Sequence, residues 1–418
     1  MKNKYAHTIS IVLDLRREKG KGLYPVKLRV YSKTIKRAKL YATDIDLSEN
    51  GFKAIWTNGN SKNLRGKNRD IRLFLNNFEQ RANEEAEQLT VFSFEKFEKK
   101  LFRRSSDANN IIYHFEKEIE KNIKKGKIGT SESFKYSLKS IHNFANYRAK
   151  KELTKIPFEI FTVDWLEAYE SYMISIGKSI TSVGIYLRAL RIIFNNAIDD
   201  NDINKEIYPF GKKKYQIPKS KKVKKALNAE DLKVLFNTKP KTYEQEKAKD
   251  FWFFSYSTNG MNIKDLALLK YSDISSEEFS YYRAKTFGKS AVKEKINIHI
   301  NDYTKEMIEK YGTKNMNGFV FSILNIEDDE ETRYKKVKNF TRFINQHIKK
   351  LAKENNITSE LSSYWARHSF ATNSIRKGAS KEFISEALNH SSMDVTDNYF
   401  AGFEDDIKKE FANSLMDF

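Results

Sequence analysis

Cysteine is absent from the 418 residues, which excludes disulfide staples, thiolate metal sites and cysteine nucleophiles. Long apolar runs are missing as well: none approaches the roughly 18 residues that a membrane span needs. The polar opening MKNKYAHTIS carries no signal-peptide apolar stretch, so a cytoplasmic chain that meets no membrane is expected. No tight Asp/Glu/His cluster has metal-ligand spacing, so neither a metal nor another cofactor is expected, and no internal repeat is found. What abounds is positive charge: 76 Lys+Arg stand against 55 Asp+Glu, a formal net charge of +21. With 39% hydrophobic and 13% aromatic residues the chain can fill packed cores, which excludes wholesale disorder. A folded chain this basic points to nucleic acid ahead of anionic membrane.

The pattern divides the chain into four stretches. Residues 7–15, 24–31 and 38–45 alternate as strands do, with a Gly20-Lys21-Gly22 turn between the first two. Residues 1–60 hold 13 Lys+Arg against 5 Asp+Glu, so this sheet is either a solvated face or a small DNA-gripping module. A helix over 68–89, with Ile71, Phe74, Leu75, Phe78, Ala82, Ala86 and Leu89 on one face, completes a first module at 1–90. Residues 91–210 read as an all-α bundle with helices over 107–125, 130–150, 162–176 and 179–199, capped by Asp107, Thr130 and Thr162. Its stripe Phe134, Leu138, Ile141, Phe144 (or Ala145) has core spacing. A basic linker at 211–227 follows; Gly211–Lys225 holds eight lysines and no acid. Such a run is a solvated connector or an arm lying along phosphates, and Lys212, Lys213, Lys214, Lys221, Lys222, Lys224 and Lys225 are the candidate DNA contacts. Residues 228–418 are mixed, with helices around a hairpin at 279–300. The fold class expected is multidomain and mainly α, with a small N-terminal β-sheet module and a mixed α+β C-terminal domain.

Three constellations near the C-terminus gain force from their spacing. They are Tyr364-Trp-Ala-Arg367-His368-Ser-Phe-Ala-Thr372, then Leu388-Asn-His390-Ser-Ser, then Thr396-x-x-Tyr399. Each alone has a bland reading: a surface Arg-His pair, a turn histidine, a packing tyrosine. Together and in this order they resemble the C-terminal signature of the tyrosine recombinases, the phage-type integrases, most like those of Bacteroides-type conjugative transposons. Ser257-Thr-Asn-Gly260-Met-Asn262-Ile-Lys-Asp265 resembles the family's Thr-Gly-x-Arg-x-x-Glu/Asp block, with Asp265 at the supporting acidic position. Two departures stand out: Asn262 occupies the position of the family's first arginine, and Tyr364 that of the histidine in His-x-x-Arg. Tyr281-Tyr-Arg283-Ala-Lys285-Thr286 resembles the hairpin segment that carries the active-site lysine. The layout implied is an arm-binding module, a SAM-like core-binding bundle, a linker and a catalytic domain.

The resemblance implies strand cleavage by Tyr399 to a covalent 3′-phosphotyrosine, without metal or ATP. Arg367 would clamp the non-bridging phosphate oxygens, Lys285 would protonate the leaving 5′-oxygen and His390 would hydrogen-bond the phosphate. His368 or His390 would share the task of deprotonating Tyr399. Losing one preorganised donor costs about 10²–10³ in rate at a comparable site, so with Asn262 the chain is either a weak or dead recombinase or has another cation in that place. Arg283, expected on one strand face with Lys285, either reaches the phosphate or makes an ordinary DNA-backbone contact. The tail stripe Phe403, Ile407, Phe411, Leu415 either packs on its own domain or docks into a neighbouring subunit of a synaptic homotetramer. The partners implied are double-stranded DNA at core and arm-type sites, with a host bending factor or an excision factor. The functions left open are an integrase of a mobile element, a DNA invertase, and a catalytically inactive DNA-binding regulator.

Overall fold

The computed structural model describes residues 7–58, 64–89, 91–102, 107–219, 225–288, 294–357, 360–390, 393–397, 399 and 405–414. They fall into two compact units, one made of segments 1–120 and 133–218, the other of 121–132 and 219–418. The architecture is mainly α, with a small N-terminal sheet, a helical bundle and a mixed α+β C-terminal unit.

In the first unit β1 (His7–Leu13), β2 (Tyr24–Ser32) and β3 (Arg37–Leu47) form an antiparallel sheet in that order. Alternation puts Val26, Leu28 and Val30 on one face, opposite Leu13, Ile11 and Ile9 of β1. That face is covered by α2 (Gly66–Glu87), which follows the short α1 (Glu49–Phe52) and buries Leu75, Ala82 and Ala86. Glu79 Oε1 accepts the Ile11 N–H at 3.1 Å and ties the helix to the sheet. A further helix, α3 (Phe94–Leu101), sets Phe94, Phe97 and Leu101 into the same core, so a boundary at residue 90 falls inside this module.

A separate core joins α4 (Ile111–Lys124), α5 (Ile128–Ala149), α6 (Val163–Ser175) and α7 (Ile180–Asp199). Phe134, Ile141, Phe144 and Ala145 are buried in it, and Leu138 packs at its edge. Thr162 and Ser179 cap α6 and α7 by accepting from Trp165 and Ser182 N–H, whereas α5 begins at Ile128 and leaves Thr130 within its first turn. The basic stretch departs from the linker expectation. Tyr215 is buried in this core beside Phe210 and donates to Glu170, because an aromatic ring in a lysine run still gains by leaving water. Lys212, Lys213 and Lys214 are exposed on the turn that Tyr215 anchors, while Lys221, Lys222 and Lys224 lie outside the described residues.

The second unit contains α8 (Ala229–Asn237), α9 (Tyr243–Ser257), α10 (Ile263–Leu268), β4 (Glu278–Tyr281), β5 (Ile296–His299), α11 (Asp302–Tyr311) and α12 (Glu330–Glu354). After them come α13 (Ser363–Arg376), α14 (Lys381–Ala387), α15 (Met393–Asp397) and α16 (Asp405–Ser414). Phe251, Trp252 and Phe254 of α9 centre the core, with Ile344, Ile348 and Leu351 of α12 and with Phe279, Ile296 and Ile298 of the hairpin. Helix α13 is pinned from two sides: Trp252 Nε1 donates to Ser362 O at 2.9 Å, and Ser369 Oγ accepts from Leu227 N–H at 2.9 Å. Of the expected tail stripe, Phe403, Leu415 and the side chains of Ile407 and Phe411 lie outside the described residues.

Candidate active site

The site is built on one face of α13. Tyr364, Arg367 and His368 stand at i, i+3 and i+4, spacing that brings side chains together on a helix. Arg367 is 2% exposed. Its Nη1 donates to Gly260 O at 3.0 Å and its Nη2 to Leu388 O at 2.6 Å. Gly260 has φ +66°, and a Cβ there would stand 2.6 Å from the Arg367 Cα. Only glycine fits this turn before α10, and its carbonyl orients the guanidinium.

Arg283 reaches the same place from the hairpin. Strand β4 ends at Tyr281, and the Ala284 N–H is taken at 2.9 Å by Asp265 Oδ1 rather than by a strand partner. The chain therefore turns: Arg283 points inward and is buried, whereas Lys285 is exposed. The two do not share a strand face, which corrects the alternation argument. Arg283 Nη1 donates to Leu388 O at 3.2 Å and Asn389 O at 3.1 Å. Asn389 adopts φ +47°, a left-handed turn in which asparagine is among the better-tolerated residues; here the Leu388 carbonyl faces both arginines and the Asn389 carbonyl faces Arg283. The Nε atoms of Arg283 and Arg367 are buried with no hydrogen-bond partner among the described residues.

Asp265 is the carboxylate beside them. Burial raises its pKa, while the Ala284 N–H, the two arginines and a hydrogen bond with Asn262 act in the opposite sense. Asn262 thus serves the acid. Burial and then Arg283 lower the pKa of Arg367 from its ordinary value. Two cations in one poorly hydrated pocket repel each other, and an anion would relieve both.

Tyr399 is 7% exposed, with the Arg367 guanidinium 5.6 Å from its ring centre. Thr372 Oγ1 donates to its carbonyl at 2.9 Å and fixes the backbone after α15. The Tyr399 and Tyr364 hydroxyls are 2.8 Å apart. Burial favours the neutral Tyr399 phenol, but Tyr364, Arg367 and Arg283 outweigh it and lower the pKa. Tyr364 moves the other way, raised by burial and by the Tyr399 hydroxyl.

Both histidines are held neutral. His368 stacks on Tyr399 at 4.4 Å between centroids, and burial pushes its pKa down to about 4 against a hydrogen bond to the Tyr399 backbone. His390 has Nδ1 2.9 Å from Thr396 Oγ1 and Nε2 3.4 Å from Arg367 Nη2. Burial, then Arg367, Arg283 and Lys285, push its pKa down to about 3. The Thr396 hydroxyl can accept from Nδ1–H or donate to a bare Nδ1, so either neutral tautomer is served.

The structure therefore gathers Tyr399, Arg367, His390, His368, Arg283, Tyr364 and Asp265, with Asn262 behind the acid and Lys285 at the exposed rim near His390. Lys225 lies 6.0 Å over the Tyr364 ring. Sequence reasoning missed the parts played by Gly260, Thr372 and the Leu388 and Asn389 carbonyls, although Gly260 and Asn389 sit at recognisable turn positions. Among the described residues no group of three or more His, Cys, Asp or Glu could hold a metal ion. Nor is any described helix long and apolar enough to cross a membrane.

Residues 110–217 match the phage integrase SAM-like domain and residues 225–405 the phage integrase family. Tyrosine recombinase XerC of Pediococcus pentosaceus is 24% identical over 248 residues, 56% of this chain and 75% of that protein. Tyrosine recombinase XerD of Listeria monocytogenes is 25% identical over 276 residues, 62% of this chain and 84% of that protein. Among solved structures, the Tn1549 transposon integrase in complex with transposon right end DNA is 17% identical, with a TM-score of 0.47 over 73% of this chain and 99% of that one. A lambda integrase dimer bound to a COC′ core site is 16% identical, with a TM-score of 0.49 over 94% and 99%.

Proposed function

We propose that this chain, whose segments 110–217 and 225–405 match the phage integrase SAM-like domain and the phage integrase family, is a site-specific recombinase that integrates and excises a mobile element through a covalent 3′-phosphotyrosine at Tyr399. A phosphodiester is an unreactive anion, and a phenol that displaces the 5′-oxygen keeps the bond energy as a second ester. Tyr399 Oη forms the new bond to phosphorus while the bond from phosphorus to the 5′-oxygen breaks. Lys285, at the exposed rim, gives its proton to that oxygen. Arg367 and Arg283 hold the non-bridging oxygens through the N–H groups left without partners, so Arg283 fills the gap at Asn262. His390 Nε2 faces the donor Arg367 Nη2; once phosphate takes up that guanidinium, His390 in its Nε2–H tautomer, with Nδ1 accepting from Thr396, would donate to the same phosphate. Attack on the phosphotyrosine by the 5′-hydroxyl of another strand reverses the step and completes exchange.

DNA would be held at core sites by the helical bundle and segment 228–418, with Lys212, Lys213, Lys214 and Lys225 along the phosphates, and at arm-type sites by the N-terminal sheet module, which extends through α3. Four copies would assemble in the synaptic complex, with the C-terminal tail docking into a neighbour, and host bending or excision factors would set direction. An invertase would use identical chemistry. A catalytically idle regulator would not need a phenol whose proton affinity is lowered beside two unpaired guanidinium N–H groups.

The observation that carries this reading is the convergence of buried Arg283 and Arg367 beside the Tyr399 hydroxyl. A duplex nicked near the crossover, which loses the attacking 5′-hydroxyl by diffusion, should accumulate a covalent protein–DNA adduct. Tyr399→Phe should abolish it; an adduct that persists in that variant sinks the proposal.

A further inference from the structure

Tyr364 is 43% exposed and stands on α13 one turn before His368. Its hydroxyl meets that of Tyr399 at 2.8 Å, and its ring stands edge-on to His368 with centroids 4.8 Å apart. Arg367 also reaches the Tyr399 hydroxyl, but as the proposed phosphate clamp it is committed to the reacting group. His368 lies at 24° to the phenol ring, and a ring stacked on a face cannot aim an in-plane nitrogen at the hydroxyl. His390 keeps Nδ1 on Thr396 and turns Nε2 toward Arg367.

Resting on the recombinase reading, we infer that Tyr364 is the positioning residue of the nucleophile: its O–H donates to the Tyr399 oxygen, aims it and stabilises it once its own proton has left. Before attack the Tyr399 proton passes to solvent water, reached along the half-exposed Tyr364 side. Tyr364 keeps its proton, as its raised affinity for it requires of a donor. The phenolate then bonds to phosphorus, and the 5′-oxygen leaves with the proton from Lys285. On religation the phenolate is the leaving group, and the same donor lowers its cost. An ester oxygen is a poorer acceptor than a phenolate, so this contact is strongest in the reacting states, where a hydrogen bond accelerates the chemistry.

The groups facing Tyr399 can be told apart in the test. Arg367, His368 and Tyr364 approach from α13, Arg283 from the turn after β4, and His390 from the loop after α14; Lys225 lies over Tyr364, and Lys285 stands beyond His390. Both histidines stay neutral above about pH 5, so a rise in rate through the alkaline range reports the phenol pair.

The experiment measures single-turnover cleavage by the full chain from pH 6 to 10. It uses nicked duplexes whose scissile phosphate carries either a 5′-bridging oxygen or a 5′-bridging sulfur, which leaves without a general acid. Tyr364→Phe keeps the ring against His368 and is expected to bind DNA unchanged. It should cleave about 10- to 100-fold more slowly on both substrates, the loss expected for one hydrogen bond to a charged group. The rise of rate with pH should move to higher pH, and Tyr364→His, which restores an N–H donor, should recover most of the rate. Lys285→Ala, in contrast, should be rescued by the sulfur substrate. A wild-type rate in Tyr364→Phe, or a slower rate with an unmoved pH profile, overturns the inference. Cleavage by Tyr399→Phe would instead overturn the recombinase reading itself.

Discussion

Arg283 and Arg367 donate to one carbonyl oxygen, that of Leu388, at 3.2 and 2.6 Å. They arrive from elements 84 residues apart in the chain, the turn after β4 and the middle of α13. Asp265 enables the meeting, because its grip on the Ala284 N–H turns Arg283 inward. Two like charges share this acceptor, and each keeps a buried Nε–H for something else.

If Arg283 supplies the charge that Asn262 lacks, Arg283→Ala should lower the rate of adduct formation by about 10²–10³, the usual cost of one preorganised donor. Single-turnover kinetics on the nicked duplex checks this. DNA affinity should change little, since Arg283 is buried whereas Lys212, Lys213 and Lys214, the proposed phosphate contacts, are exposed.

Gly260→Ala should impair both stability and activity. The added Cβ would stand 2.6 Å from the Arg367 Cα, a backbone-linked atom that cannot swing aside, at a φ of +66° that alanine tolerates poorly. Overpacking of this kind costs about 1–3 kcal/mol, so the thermal midpoint should fall by several degrees, read by calorimetry. Gly288, where a Cβ would meet nothing within 4 Å, should accept alanine without loss.

Tyr399 and Arg367, the proposed nucleophile and clamp, lie in one chain's pocket, with the Arg367 guanidinium 5.6 Å from the Tyr399 ring centre. Cleavage should therefore use the tyrosine of the subunit that holds the phosphate. Mixing Tyr399→Phe with Arg367→Ala protein should leave adduct formation at background. Restored cleavage in the mixture would mean that the tyrosine crosses between subunits.

The histidines set a stability window. His390 and His368 have folded pKa values near 3 and 4, below the ordinary 6.5, so between those values the unfolded chain binds more protons. Their neutral burial contributes fully above pH 6.5, and the contribution is lost progressively as pH falls toward 4. The thermal midpoint of wild type should drop across that range. His390→Asn should show a shallower drop, because one of the two proton-binding sites has gone.

How far the sequence reached can be followed residue by residue. Arg367, His368, His390 and Tyr399 were legible because a helix face and fixed short spacings carry them, and local geometry of that kind survives in any tertiary setting. Arg283 was singled out on an argument that the structure replaces: strand alternation fails two residues past a strand end, where the Asp265 side chain, 18 residues earlier, decides the direction. Tyr364 read only as a departure from a pattern, since nothing local to α13 reveals that another phenol will meet it. Tyr215 was hidden by the lysines around it, and α3 by its shortness. In each case a tertiary contact overrode the local signal.

Recombination of this kind joins DNA to one phenolic oxygen. Protein trapped on a nicked duplex can be digested with protease and nuclease, and the remaining nucleotide-bearing peptide sequenced by mass spectrometry. The predicted result is a 3′-nucleotide esterified to the hydroxyl of Tyr399, with the 5′-hydroxyl free on the released strand. An adduct on another residue, or none with an intact substrate strand, would contradict it.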